Sequence, residues 1–398
     1  MKVSRRRWKS ALMDSLPEYV FNSVDRLKRD ARARGEDIID LGMGNPDRPT
    51  PGHIVEKLTE ASAKPRNHRY SASAGIPNLR KAVCDWYQRK FGVRLNPDTE
   101  AVATMGIKEG ISHLMPCLIE PGDSVVVPSP AYPIHPYSVT IARGKPVSVP
   151  MAEDEDKFIA SIERAIKRGG GKVKAILISF PNNPTTRTVS KEFFEKVVEL
   201  AREAKVAVIH DFAYAELCFD GYQAPSIMQV KGAKDVAVEF YSLSKTYNMP
   251  GWRVGFMVGN RDIVAHLKKL KSYLDYGIFQ PIQISAILAM NGPQECAREV
   301  RETYRLRRDS LVKSFARAGW EIEPPGSTMF VWAKIPARFE KMGSLEFSKM
   351  LIRKAGVALS PGVGFGARGE GFVRLALVEN EKRINQAARN IKKVLGTR

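Results

Sequence analysis

The segment Tyr241-Ser-Leu-Ser-Lys-Thr-Tyr-Asn-Met-Pro-Gly-Trp-Arg-Val-Gly255 sets Lys245 directly behind an apolar run with the look of a buried strand. A lysine at the carboxyl end of a parallel-sheet strand points into the crevice where α/β folds bind ligands. To serve as an amine it must be neutral near pH 7, or masked as an imine. Desolvation and nearby positive charge lower its pKa in that direction. The hydroxyls of Ser242 and Ser244 and the guanidinium of Arg253 suit a phosphate dianion. A surface lysine at a strand end is common, and Ser-x-Ser-Lys alone is weak. The longer pattern, with Arg253 eight residues on and Gly255 in register, is much stronger.

Further groups have chemistry of the same kind. His210-Asp-Phe-Ala-Tyr214 closes the apolar run Val206–Ile209. There Asp211 can pair with a protonated pyridine nitrogen and keep the ring able to accept electrons, and Tyr214 can donate to a ring oxygen. Asp211 alone would more simply cap a turn. Phe180-Pro-Asn-Asn-Pro-Thr185 is first a turn signal, although the Asn183 amide can reach the same ring oxygen. Thr104-Met-Gly-Ile-Lys108 opens a helix, and the N–H groups of Ile107 and Lys108 could bind phosphate; an ordinary glycine-initiated helix reads the same way. Tyr132 could stack on a flat ring or be a core aromatic beside a turn. Arg374, within the apolar run Val373–Leu377, needs an anionic partner if buried. A substrate carboxylate held by two parallel hydrogen bonds meets that need, and so does an internal Asp or Glu.

Positioning these groups requires an α/β scaffold. From about residue 100, short β-branched runs alternate with helical stretches. Strands are expected at Ser124–Val127, Val173–Phe180, Val206–Asp211, Val236–Ser242 and Val254–Val258, with amphipathic helices such as Lys191–Ala204 and Arg261–Tyr273. Buried strands alternating with helices imply a mainly parallel sheet. The last third differs: a long charged helix over Gln294–Ala318, strands at Met329–Ala333 and Val373–Leu377, and helices at Leu345–Ala355 and Lys382–Leu395. This reads as a smaller α+β domain. The expected division is an arm and part of the small domain over 1–44, a large domain over 45–290 and the small domain over 291–398.

A chain of 398 residues accommodates two domains. No apolar run is long enough for a bilayer. The Arg-rich start lacks the apolar stretch of a secretory leader and reads as a solvated arm. Cys84, Cys117, Cys218 and Cys296 are far apart, which argues against a metal site or a disulfide framework and for a reducing cytoplasm. The 63 Lys and Arg against 43 Asp and Glu, a net +20, would suit nucleic acid or an anionic membrane. The basic residues are dispersed, however, and neither a recognition motif nor aromatic interleaving accompanies them. A basic solvated surface is the simpler reading.

In this order and spacing the five motifs resemble the class I/II aminotransferases of fold type I, the pyridoxal-phosphate (PLP) enzymes. The likeness runs from Leu16-Pro-Glu-Tyr19 to the C-terminal helix. The wording Asp37-Ile-Ile-Asp-Leu-Gly-Met-Gly-Asn-Pro-Asp47, Ser226-Ile-Met-Gln-Val230 and Lys245-Thr-Tyr-Asn-Met249 is similar to bacterial glutamate–pyruvate (alanine) aminotransferases, with LL-diaminopimelate aminotransferases somewhat more distant. The resemblance implies a seven-stranded-type sheet sandwiched by helices, and a homodimer with shared sites. Lys245 would hold the cofactor as a Schiff base and then shuttle the substrate proton. Asp211 would pair with the ring nitrogen, Asn183 and Tyr214 would contact the ring oxygen, and Tyr132 would stack on the ring. The phosphate would be bound by the backbone at Ile107 and Lys108, by Ser242, Ser244 and Arg253, and by Tyr70 of a second subunit. Arg374, Asn183 and the Gly44 backbone would hold the substrate α-carboxylate, with Tyr19 and Gln280 lining the side-chain pocket. Ile107 stands where relatives often carry a hydroxyl, and Thr186 where many have glycine.

The implied reaction is ping-pong exchange of an amino group between an amino acid and a 2-oxo acid, with alanine and 2-oxoglutarate as the expected pair. Lys271, Tyr19 and Gln280 are the candidates for a distal carboxylate. LL-diaminopimelate, methionine and aromatic substrates remain alternatives. So do a C–S lyase or aminocyclopropane-forming synthase on the same scaffold and, in another class, a PLP-binding regulator or a basic nucleic-acid-binding protein.

Overall fold

A computed structural model describes residues 8–18 and 20–396. The first seven residues of the basic arm and Tyr19 lie outside the described residues. The centre is a seven-stranded sheet of β1 (Ala101–Thr104), β2 (Ser124–Ser129), β3 (Lys145–Pro150), β4 (Val173–Ser179), β5 (Ala207–Asp211), β6 (Ala237–Ser242) and β7 (Gly255–Gly259). Their spatial order is β1-β7-β6-β5-β4-β2-β3. Neighbours from β6 through β5, β4 and β2 to β3 pair in parallel, whereas β7 runs antiparallel to both β6 and β1. The five expected strands form, with ends shifted by at most two residues. The edge strand β3 escapes a reading of apolar runs because most of it is exposed or half-buried and it carries two prolines.

Apolar clusters cover both faces of the sheet, which is why its inner strands read as continuous apolar runs. On one face the helix Lys191–Ala204 buries Phe193, Phe194, Val197, Val198 and Ala201, a helical stripe, and the Ser190 hydroxyl accepts from the Phe193 N–H to cap it. Three helices bear on the site: α1 (Phe21–Ala33), α2 (Ile107–Leu118) and α3 (Arg261–Leu274).

A second, antiparallel sheet contains Ser360–Pro361, Phe372–Ala376 and Phe330–Lys334, packed with the helices Glu295–Arg317, Ser344–Ala355 and Glu381–Leu395 over a separate apolar cluster. Ile39–Asp40 pairs in parallel with Val357–Ala358, and Leu41 O accepts from Ala376 N–H. The chain then runs through Gly42–Gly44 toward the edge of the large sheet. The architecture is therefore α/β, a mainly parallel sheet between helices with a smaller α+β part. No helix among the described residues is long and apolar enough to cross a membrane.

Candidate active site

Strand direction brings the chemistry to one edge. The carboxyl ends of β2, β4, β5 and β6 lie together there. Thr104, at the end of β1, and Ser242, at the end of β6, both register on Gly255, the start of the antiparallel β7. Tyr132, Asn183, Asp211, Lys245 and the start of α2 therefore follow strands into this edge, and Arg253 precedes one. A cavity of about 270 Å³ opens at the edge, lined by Gly44, Ile107, Lys108, Tyr132, Asn183, Asp211, Tyr214, Ser242, Ser244, Lys245, Arg253 and Arg374.

The Lys245 amine donates to the carbonyl of Gly44 at 2.9 Å. Burial first, then the positive charges of Arg374 and Arg253, push its pKa down to about 7. Asp211, at the end of the strand that pairs with the one before Lys245, is buried; its Oδ2 lies 2.9 Å from His135 Nε2, and its Oδ1 accepts from the Ala213 N–H at 3.2 Å. Burial raises the phenol pKa of Tyr132 and, further, that of Tyr214, so both keep their protons and Tyr214 stays a donor.

At one end of the cavity the N–H groups opening α2 meet two hydroxyls and a guanidinium. Ser242 Oγ donates to Ser244 Oγ at 2.9 Å. Arg253 donates to the carbonyls of Pro250 at 2.8 Å and Met105 at 3.3 Å, lying across the turn at Gly106. Gly106 has φ +81°, and a Cβ there would collide with that guanidinium. At the other end Arg374 donates to Asn183 Oδ1 at 2.8 Å and to Gly42 O at 3.1 Å, with the rings of Phe330 and Phe365 against it at 4.0 and 4.7 Å. An arginine only donates, so Asn183 turns its oxygen to Arg374 and keeps its NH2 as a donor. The donor set thus offers a dianion site, a low-pKa amine, a carboxylate, a phenol and a buried guanidinium. It fits a phosphorylated aromatic aldehyde together with a carboxylate substrate.

Residues 36–391 match the family model for aminotransferase class I and II. The chain belongs to the class I and II aminotransferases. It is 54% identical to the glutamate-pyruvate aminotransferase AlaC of Escherichia coli, over 96% of this chain and 92% of that one. It is 44% identical to the LL-diaminopimelate aminotransferase of Desulforudis audaxviator, covering 96% of each. Among solved structures, substrate-bound BacF from Bacillus subtilis superposes with a TM-score of 0.90 at 34% identity, covering 97% of each chain. The protein is a PLP-dependent aminotransferase that acts on amino acids and 2-oxo acids.

Three sequence-based site residues lie elsewhere in the aminotransferase chain, and a fourth, Tyr19, is outside the described residues. Gln280 does not line the cavity. Its amide donates to Asn67 Oδ1 at 3.0 Å, in a separate surface hollow. Lys271 is fully buried between Glu109 and Asp275, 2.9 Å from each, so the expectation that it receives a distal carboxylate is corrected: two internal carboxylates already hold it. Tyr70 is 84% exposed and stacks near Tyr276, with ring centroids 4.5 Å apart, outside its own chain's cavity.

Sequence reasoning also missed contributors. His135 stands one helical turn beyond Tyr132, and only the sheet order brings it to Asp211. Phe21, Val24, Asp25 and Lys28 of α1 form the roof of the cavity. Lys28 pairs with Asp25 at 2.6 Å and Asp40 at 2.9 Å, and Asp40 accepts the N–H groups of Gly42 and Met43. The sequence reading places this stretch in an N-terminal arm and expects no helix over α1.

Proposed function

We propose that this protein transfers the amino group between alanine and 2-oxoglutarate, as a cytoplasmic homodimer. The observation that carries the mechanism is the placing of a low-pKa amine, Lys245, between a dianion site and a buried guanidinium. Bound there, PLP supplies a protonated ring that takes up the electron pair left when a substrate Cα loses its proton. Asp211, backed by His135, would keep a proton on the ring nitrogen. Tyr214 and the Asn183 amide would donate to the ring oxygen, and Tyr132 would stack on the ring. The N–H groups of Ile107 and Lys108, Ser242, Ser244, Arg253 and a second subunit's Tyr70 would hold the phosphate. Arg374, oriented by Asn183 and beside the Gly44 backbone, takes the substrate α-carboxylate. Lys245, whose amine is held neutral near pH 7, would take the substrate Cα proton as a general base and hand it back as a general acid two atoms along. Each half-reaction completes before the second substrate enters, so kinetics are ping-pong.

Similarity to AlaC favours the alanine–glutamate pair. The similarity to LL-diaminopimelate aminotransferases supports the second reading. Cytoplasmic location rests on four free cysteines. The division into 45–290 and a second unit of 1–44 with 291–398 belongs to the same proposal, and the separate apolar clusters support it. The deciding test mixes PLP-loaded enzyme with single amino acids and follows the cofactor absorbance. Alanine and glutamate should each convert it, far faster than LL-diaminopimelate; the opposite order overturns the substrate assignment.

A further inference from the structure

Lys271 is fully buried, and the active-site chemistry leaves it without a role. It sits near the end of α3, and its ammonium bridges Glu109 of α2 and Asp275 of the following loop at 2.9 Å each. His113 Nδ1 joins Glu109 Oε1 at 2.7 Å. Glu109, His113 and Asp275 offer ligand atoms within 4.8 Å of one another, a grouping that would suit a metal ion, but here the lysine ammonium bridges the two carboxylates.

Each carboxylate has a second oxygen at work. Glu109 Oε2 accepts the N–H of Met105 at 2.8 Å. The Met105 carbonyl accepts from Arg253, so the turn that opens α2 is clamped on both sides. Asp275 Oδ1 accepts the N–H of Gly277 at 2.7 Å. Gly277 has φ +76°, and a Cβ there would collide with the carbonyl of Ala72, so its loop lies directly on the segment that follows Tyr70. The Tyr276 ring lies against Tyr70 itself.

We propose that Lys271 is a positioning residue for the cofactor phosphate: through Glu109 and Asp275 it locks the phosphate-binding turn and the Tyr70-bearing segment into one rigid unit. This rests on the phosphate and dimer assignments made above. One bridge then sets both the donors a subunit uses itself and the donor it presents to its neighbour.

The test compares the binding of PLP and of pyridoxal, which lacks the phosphate, to cofactor-free enzyme, by titration of the absorbance. Asp275→Asn keeps an acceptor for Gly277 but weakens the ion pair, and Asp275 does not line the cavity. Its Kd for PLP should rise about tenfold, with that for pyridoxal unchanged. Glu109→Gln should act alike, and the double variant should cost less than the product of the two effects, because both act through one lysine. Equal weakening of PLP and pyridoxal would mean a general packing role and overturn the proposal, as would unchanged PLP binding in both variants. Should Glu109→Gln fail to fold, Asp275→Asn alone decides. Wild-type enzyme that binds neither compound would instead overturn the cofactor reading itself.

Discussion

Lys245 is tuned by what surrounds it rather than by what it bonds. Its amine sits at about 7 when folded and at 10.5 in the unfolded chain. Between these values the unfolded chain binds the extra proton, so the stability of the cofactor-free enzyme rises with pH through this window. Below about 7 both states are protonated and the full burial penalty remains. The slope from this one group approaches about 1.4 kcal/mol per pH unit. Urea unfolding of cofactor-free wild type and Lys245→Met at pH 7.5 and 9 checks this. The wild type should gain on the variant, and parallel behaviour of the two would show that the amine is not depressed. At Asp211, His135→Phe would strip one oxygen of a buried carboxylate of its partner. An unsatisfied buried acceptor costs about 1–3 kcal/mol, so kcat should fall roughly ten- to a hundredfold with little change in substrate KM. Unaltered kcat would remove His135 from the positioning of Asp211.

At the scale of elements, order along the chain was legible and convergence in space was only partly so. Strand runs and helix stripes announced themselves because β4 to β6 are buried on both faces and helices such as Lys191–Ala204 on one. A residue directly at a strand end, such as Lys245 or Asp211, inherits its place from the strand. Long side chains on helices do not: nothing local says that Lys271 turns inward to two carboxylates, or that Gln280 reaches Asn67. The turn between β1 and α2 is a case where an element, not a side chain, makes the site. Gly106→Ala must place a Cβ against Arg253 at φ +81°. The variant should fold, lose PLP affinity by at least about tenfold, and leave the far-ultraviolet circular dichroism unchanged. Retained affinity would show that Arg253 can leave the turn at little cost.

Over the whole molecule, the cavity belongs to neither sheet alone. The large sheet supplies Lys245 and Asp211, the second sheet supplies Arg374, and the N-terminal segment closes the gap by offering the Gly44 carbonyl to one and the Gly42 carbonyl to the other. The proposed fourth contribution, Tyr70, lies outside its own chain's cavity and against Tyr276, and Tyr273, Leu274, Tyr276 and Phe279, close together in the chain, are large side chains all at least 44% exposed. An aromatic surface of this kind is costly in water and favours a covering partner. If the partner is a second copy, each site takes Lys245 from one chain and Tyr70 from the other. Mixing tests that directly. Lys245→Ala homodimers should be inactive, and Tyr70→Ala homodimers should bind PLP weakly and run poorly at limiting cofactor. In a mixed dimer the Tyr70→Ala chain keeps Lys245 and receives an intact Tyr70 from the Lys245→Ala chain. One complete site therefore forms, and activity at limiting PLP should climb above that of either parent. Activity that stays at the weighted mean of the parents would place Tyr70 outside the neighbouring site.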